Sequence, residues 1–182
     1  MSPAGRARLL IGAVALSAGC SAPALAASSP PATPSAAALD LRVLRTSQNL
    51  WATINLCSPT DQPNTVGIRG SMPSDGHAKD RMYMSFRLQY QTAAKQWVDL
   101  LGVNARTGYL LVGRGATRQD GASFQLVPVA GNPAMTLRGV VSFQWRRGAT
   151  VLASLSRPTT AARRSLAGAD PAGFSAASCI IG

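Results

Sequence analysis

The segment Met135–Ser156 constrains the fold more than any other part of the sequence. Its first half alternates between mostly polar residues and a nonpolar set made of Leu137, Gly139, Val141, Phe143 and Trp145. This period of two is typical of a strand with one buried face. The short sequence Arg146–Ala149 supplies a turn containing a glycine, and Val151–Leu155 resumes as a second strand. We therefore predict a long β-hairpin with which other strands can pair.

Further strands are predicted wherever short nonpolar runs alternate with polar residues. They are Leu39–Arg45, Gln48–Cys57, Thr65–Met72, Arg81–Gln91, Trp97–Leu101, Tyr109–Val112, Ser123–Val129 and Phe174–Ile181. Between them we expect an exposed loop at Pro73–Asp80 and a Gly-rich polar connection at Gly113–Gly121. All seven acidic residues are Asp, and the absence of Glu argues against an α-rich protein. The pattern favours an all-β, antiparallel immunoglobulin-like or fibronectin-like β-sandwich of about 8–10 strands, with a jelly roll or small barrel as the alternative.

The beginning of the chain has the pattern of an export signal. Two arginines precede the nonpolar run Leu9–Gly19, and Ala24–Ala26 has the small residues that a signal peptidase needs. We predict a signal peptide at 1–26, a disordered Ala/Pro/Ser linker at 27–38 and the β-sandwich domain at 39–182. The alternative is acylation of Cys20, because Ser17–Cys20 resembles a bacterial lipobox. In that case a lipid would anchor the protein to the outer face of the cell membrane. We expect no transmembrane helix, because the nonpolar run is too short to span a bilayer.

Two cysteines, Cys57 and Cys179, remain in the predicted domain. In an exported protein such a pair most simply forms a disulfide. The bond would link an early strand to the last one. A reactive thiol pair is disfavoured because the sequence has no C-x-x-C spacing.

The chain carries a formal net charge of +11. Removal of Arg6 and Arg8 with the signal peptide would leave 16 basic against 7 acidic residues, a net charge of +9. Such a charge favours anionic partners, although a coding bias toward Arg would also produce it. For an exported protein with few aromatic residues we expect no nucleic acid partner. The candidate partners are an anionic envelope polymer, a glycan or an extracellular protein, and we expect a monomer.

Several stretches resemble those of a group of secreted bacterial proteins that are mostly actinobacterial and uncharacterised. The similarity covers most of residues 39–182. It rests on the stretches Asn64–Pro73, Met82–Tyr90, Val140–Leu152, Gly168–Pro171 and Ser175–Ile180. In that group a Gly-His pair often follows the Thr-rich stretch near Thr159, whereas this chain has Ala-Ala-Arg-Arg at 161–164. The resemblance implies export and a single immunoglobulin-like sandwich with one early and one C-terminal cysteine. It implies no activity.

The sequence offers few candidates for catalysis. His77 is the only histidine, so a catalytic triad is disfavoured, and a metal site from Asp75, His77 and Asp80 would place three ligands within one short loop. We interpret this segment as a solvated loop. The acidic residues resemble turn or edge residues rather than a glycosidase pair. We therefore expect no catalytic residue, no metal and no cofactor, with a hydrolase that uses the His77 loop as the less favoured alternative.

One feature suggests a binding site. If Arg81–Gln91 lies beside the hairpin, the outward residues of both strands form a basic surface: Arg81, Tyr83, Arg87, Gln89, Arg138, Gln144 and Arg146. Arginine can bind carboxylates and phosphates through two hydrogen bonds and can stack on rings. An ordinary solvated face would look similar. The sequence thus predicts a secreted, non-enzymatic binding or envelope-associated module, with a structural surface lipoprotein as the alternative.

Overall fold

The structure, a computed structural model, describes residues 41–102, 105–161 and 168–182. The chain divides into two units, Met1–Pro34 and Ser35–Gly182, and every described residue belongs to the second unit. The predicted signal peptide, the linker at 27–38 and Cys20 lie outside the described residues.

The described residues form one short helix and nine strands. The elements are α1 (Leu41–Thr46), β1 (Trp51–Cys57), β2 (Thr65–Met72), β3 (Arg81–Gln91), β4 (Trp97–Asp99), β5 (Leu110–Arg114), β6 (Arg118–Gln125), β7 (Met135–Arg147), β8 (Thr150–Pro158) and β9 (Cys179–Ile181). Two sheets pack together, and the named strands of both pair in the antiparallel sense. The domain is therefore an all-β sandwich.

The strand order places β3 and β7 at the centre of the larger sheet. One sheet has the order β1-β2-β6, and the other has the order β4-β3-β7-β8, in which β5 also pairs with β3 and β9 with β7. These orders correspond to the A-B-E and C′-C-F-G sheets of immunoglobulin-like sandwiches. The predicted hairpin is β7 and β8, joined by Gly148 and Ala149. Gly148 has a φ of 59°, which the first position of a tight hairpin turn requires.

Alternating side chains of β3 and β7 build most of the core. The largest fully buried side chains include Trp145, Phe86, Phe143, Met82 and Met84, all from these two strands. Burial of each such side chain stabilises the fold by about 1.5–3 kcal/mol. Since successive side chains of a strand point to opposite faces, this burial fixes which residues face outward.

The strand predicted at Leu39–Arg45 is wrong, because Leu41–Thr46 forms a helix. Only Leu44 of this helix is buried, whereas Leu41 and Val43 are exposed. Thr46 Oγ1 donates to the carbonyl of Arg42 at 3.0 Å, which closes the turn locally. The segment has the alternation of a strand, but none of the described strands pairs with it. Alternation of nonpolar residues alone was therefore insufficient to predict a strand here.

The prediction of a polar connection over Gly113–Gly121 is also wrong for most of its length. Most of it belongs to β5 and β6, and Gly121 lies opposite Arg69 in the β2–β6 pair. A Cβ atom at Gly121 would lie 2.7 Å from the carbonyl oxygen of Ile68. The glycine here therefore permits a close approach of two strands, whereas the sequence pattern suggested a loop.

A disulfide and the segment 168–182 connect the two sheets. Cys57 of β1 is bonded to Cys179 of β9, with a Cα–Cα distance of 5.5 Å. Ile54 and Ala176 exchange two backbone hydrogen bonds of 2.9 Å along the edge of β1, while β9 pairs with β7 in the other sheet. The predicted strand Phe174–Ile181 is thus regular only over Cys179–Ile181, because its first half follows β1.

Candidate functional site

The register of β3 and β7 places the seven predicted binding residues on one surface, which we call the basic face. Arg81 lies opposite Arg146, Tyr83 opposite Gln144 and Gln89 opposite Arg138. Arg87, the seventh residue, lies opposite Val140 in the same pair of strands. The inward side chains of both strands occupy the core, so these seven point away from it.

One half of the basic face is organised by Arg146. Its guanidinium carbon lies 4.3 Å from the ring centre of Tyr83 and 5.1 Å from that of Tyr109. Gln144 Oε1 accepts hydrogen bonds from Nε of Arg146 at 2.8 Å and from Nη2. Such cation–π contacts each contribute about 0.5–1 kcal/mol at exposed sites. The guanidinium group of Arg146 therefore lies against Tyr83 and Tyr109 and is held by Gln144.

The other half is organised by Arg138. Its guanidinium carbon lies 4.4 Å from the ring centre of Trp97, and its Nε donates to Gln89 Oε1 at 2.8 Å. Gln89 Nε2 in turn donates to Asp99 Oδ1 at 2.7 Å, and Arg87 Nε donates to the same oxygen at 3.2 Å. The hydrogen bond from Gln89 and the positive charge of Arg87 lower the pKa of Asp99, whereas partial burial and the nearby Arg87 lower that of Arg138. The network joins three strands.

The sequence predicted a basic surface of outward side chains, and the structure shows that three of its arginines have partners within the domain. Arg87, Arg138 and Arg146 are already bonded to neighbouring side chains, and Arg87 Nη1 also donates to Ser142 Oγ at 3.2 Å. Their orientations are thus determined by the domain itself. Arg81 is exposed at the end of β3.

An open cleft of about 870 Å³ adjoins the basic face. It lies where β4 and β5 pair with different halves of β3. Its charged and hydroxyl-bearing lining residues are Ser85, Arg87, Asp99, Arg106, Thr107, Tyr109 and Ser142. Volumes of about 300–1,000 Å³ are typical of small-molecule sites. The cleft is thus a concave, partly polar surface that includes Arg87 of the predicted residues.

Four residues around the basic face and its cleft were not predicted from the sequence as site residues: Trp97, Asp99, Arg106 and Tyr109. Each belongs to β4, β5 or the connection between them. Trp97 could have been found, because the predicted strand Trp97–Leu101 is separated from Arg81–Gln91 by a short turn and must pair with it. Arg106 gives no comparable signal, since its position depends on a single bridge to Arg87.

A second cluster lies in the loop between β2 and β3. Ligand atoms of Asp75, His77 and Asp80 lie within 4.8 Å of one another, and His77 is exposed. Both carboxylate oxygens of Asp80 accept hydrogen bonds of 2.7 Å from Arg147. A cation bound to Asp80 would therefore compete with Arg147, and the cluster mainly attaches the loop to β7.

The two carboxylates of this loop, those of Asp75 and Asp80, differ in burial. The side chain of Asp80 has 0% exposure, so the expectation of a solvated loop is wrong for this residue. The hydrogen bonds from Arg147 lower the pKa of Asp80, whereas burial, together with the nearby Asp80, raises that of Asp75. Trp145 Nε1 adds a buried hydrogen bond of 3.0 Å to the carbonyl of Pro73.

Comparison with models of known protein families finds no match, and comparison with curated proteins finds no significant similarity. No helix within the described ranges is long and apolar enough to cross a membrane. The basic face and its cleft are therefore the features of the domain that bear on its function.

Proposed function

We propose that the domain is a non-enzymatic binding module that recognises an acidic glycan through the basic face. The observation that carries the proposal is the stacking of Arg138 on Trp97 and of Arg146 on Tyr83 and Tyr109. The face thus combines cations for acidic groups with aromatic rings that can contact sugar rings. The cations and the aromatic rings lie on the same surface of the sheet.

The fixed orientation of the arginines supports binding. An arginine that must be ordered by its ligand loses side-chain entropy of about 0.5–1.5 kcal/mol on association. In this domain Gln89 and Gln144 already hold the guanidinium groups of Arg138 and Arg146. A polymer that contacts the face therefore meets arginines that need little further ordering. Guanidinium groups have a planar shape that matches carboxylates.

The location proposed for this activity is outside the cytoplasm. The Cys57–Cys179 disulfide is compatible with an oxidising compartment, and the predicted signal peptide provides the route. Mass spectrometry of the protein from its host tests the location. A chain beginning at Ala27, with both cysteines oxidised, supports secretion, whereas a chain beginning at acylated Cys20 supports the lipid-anchored alternative.

Binding can be measured by isothermal titration calorimetry at low ionic strength with polygalacturonate as the acidic glycan and dextran as the neutral one. We expect polygalacturonate to bind and dextran not to bind. The double variant Arg138→Gln/Arg146→Gln should bind at least about tenfold more weakly, because each charge-assisted hydrogen bond contributes about 1.5–3 kcal/mol. Arg45→Gln is the control, since Arg45 is an exposed cation of α1.

Two results would contradict the proposal. One is the absence of binding by the wild type. The other is an equal loss of affinity per removed charge in the double variant, which lacks two charges, and in the Arg45→Gln control, which lacks one; this would mean that net charge alone attracts the polymer. Thermal unfolding of each variant shows whether the domain remains folded.

The hydrolase alternative can be tested separately. His77→Ala removes the histidine of the loop cluster while leaving the basic face unchanged. We expect unchanged affinity for polygalacturonate. A hydrolytic activity of the wild type that His77→Ala abolishes would overturn the non-enzymatic part of the proposal.

A further inference from the structure

The cleft beside the basic face contains a distinctive combination of charges. The acidic side chain of Asp99 and the basic side chains of Arg87 and Arg106 all line it. Asp99 and Arg87 form an ion pair at 3.2 Å, whereas Arg106 forms no ion pair within 4.0 Å among the described residues. Arg106 still lies near enough to lower the pKa of Asp99 through its charge. The cleft therefore offers an exposed cation close to a carboxylate.

The carboxylate of Asp99 keeps acceptor capacity. Gln89 and Arg87 both donate to Oδ1, and neither of these two hydrogen bonds uses Oδ2. The side chain is 52% exposed, so a ligand can reach it. Because an ionised carboxylate can only accept hydrogen bonds, its partner must carry donors such as hydroxyl groups.

The neutral hydroxyl groups of the cleft are largely occupied. Ser85 Oγ donates to the carbonyl of Thr107 at 2.9 Å. Thr107 Oγ1 donates to the carbonyl of Gly108 at 2.8 Å and accepts from the backbone amide of Phe86 at 3.0 Å. Selectivity must therefore come mainly from the charged side chains. Tyr109, which is 38% exposed, adds an aromatic surface at the border with the basic face.

We infer that this cleft binds a uronate residue, with the sugar carboxylate at Arg106 and a sugar hydroxyl donating to Asp99. The inference rests on the proposed function and adds the chemical class of the sugar. The three charged groups carry a net charge of +1, which one carboxylate neutralises. A polyphosphate brings several negative charges and few donors, so Asp99 disfavours it.

The experiment uses trigalacturonate, its uncharged counterpart galactotriose, and tripolyphosphate as probes. Calorimetric affinities are measured for the wild type, Arg106→Gln, Asp99→Asn and the control Arg45→Gln. We expect the wild type to prefer trigalacturonate to both other probes. Arg106→Gln should weaken trigalacturonate binding by about tenfold or more, because it removes a charge-assisted hydrogen bond. The Arg45→Gln control should remain near the wild-type value.

Asp99→Asn provides the sharpest test, because it should change the affinities for tripolyphosphate and trigalacturonate in opposite directions. Removal of the negative charge should strengthen tripolyphosphate binding. It should weaken trigalacturonate binding, because a neutral amide oxygen accepts a hydroxyl hydrogen bond less strongly than a carboxylate does. The side chain is half exposed, so we expect little change in the melting temperature.

Failure of this inference can be distinguished from failure of the proposed function. If Asp99→Asn strengthens the binding of both anions, and Arg106→Gln has the same affinity for trigalacturonate as the Arg45→Gln control, the uronate site is refuted. The proposal that the basic face binds acidic polymers would still stand. If neither the trisaccharide nor polygalacturonate binds the wild type, both proposals are refuted. Equal affinities for galactotriose and trigalacturonate would also overturn the uronate assignment.

Discussion

Reduction of the Cys57–Cys179 disulfide should remove a large part of the stability of the domain. The bond joins residues that are 122 positions apart. A crosslink restricts the unfolded chain by an entropy of roughly 2.1 + 1.5R ln n cal/mol/K, so a loop of this size gives about 4.9 kcal/mol at 25 °C. Domains are typically stable by only about 5–15 kcal/mol. We therefore expect the reduced domain to be much easier to unfold.

Equilibrium urea unfolding of the oxidised and reduced forms of the same chain tests this prediction. The free energy of unfolding should fall by about 3–5 kcal/mol on reduction, since measured effects are often below the entropic value. The dependence on urea should become steeper, because the uncrosslinked unfolded chain exposes more surface. The variant Cys57→Ala/Cys179→Ala is a second comparison, and it should lose somewhat more because Cys179 is buried.

One outcome would refute this account of the disulfide. A fall of less than about 1 kcal/mol together with an unchanged urea dependence would mean that the bond does not restrict the unfolded chain. Reoxidation of the reduced sample should restore the original curve.

Three further predictions concern stability. Arg147→Gln should destabilise the domain at neutral pH, because it removes the two hydrogen bonds to the buried carboxylate of Asp80. Urea unfolding should show a smaller loss for Asp80→Asn/Arg147→Gln, and an equal or larger loss would contradict this account. The hydrogen bonds from Arg147 lower the pKa of Asp80 in the folded state below its ordinary value of 3.8. The stabilisation by this pair is therefore complete above pH 3.8 and is lost as the pH falls through the lower folded-state pKa. The difference in the free energy of unfolding between wild type and Asp80→Asn, measured by urea unfolding across this range, should shrink only in strong acid. Gly139→Ala should cost about 1–3 kcal/mol in the same assay, because its Cβ would lie 2.6 Å from Ile68, whereas Gly108→Ala, with nothing within 4 Å, is the control and should be near neutral.

The sequence was sufficient for the parts of the fold that depend on alternation. The strands β2 and β3 have the predicted bounds, and the β7–β8 hairpin and the disulfide are also present. Alternation determines which side chains are buried, so the outward residues of β3 and β7 could be identified before their register was known. The helix α1 was missed because its six residues are too few to show a helical period.

The long-range contacts of the loop between β2 and β3 and of the cleft could not be predicted in the same way. Arg147, which lies 67 residues later, donates hydrogen bonds to both carboxylate oxygens of the buried Asp80. Arg106 reaches the cleft through its bridge to Arg87. Local patterns contain no information on such pairings, because the position of each residue is determined by how distant strands meet.

The way in which segment 168–182 joins the two sheets has a consequence for the timing of folding. Ala176 completes hydrogen bonds to β1, and β9 extends the sheet of β7, so residues far apart in sequence must meet before both sheets are complete. Such nonlocal pairing generally slows folding. A chain that emerges gradually from a ribosome or a translocation channel therefore cannot close its sandwich until this segment has emerged. The arrangement therefore makes residues 168–182 the step on which closure of both sheets waits.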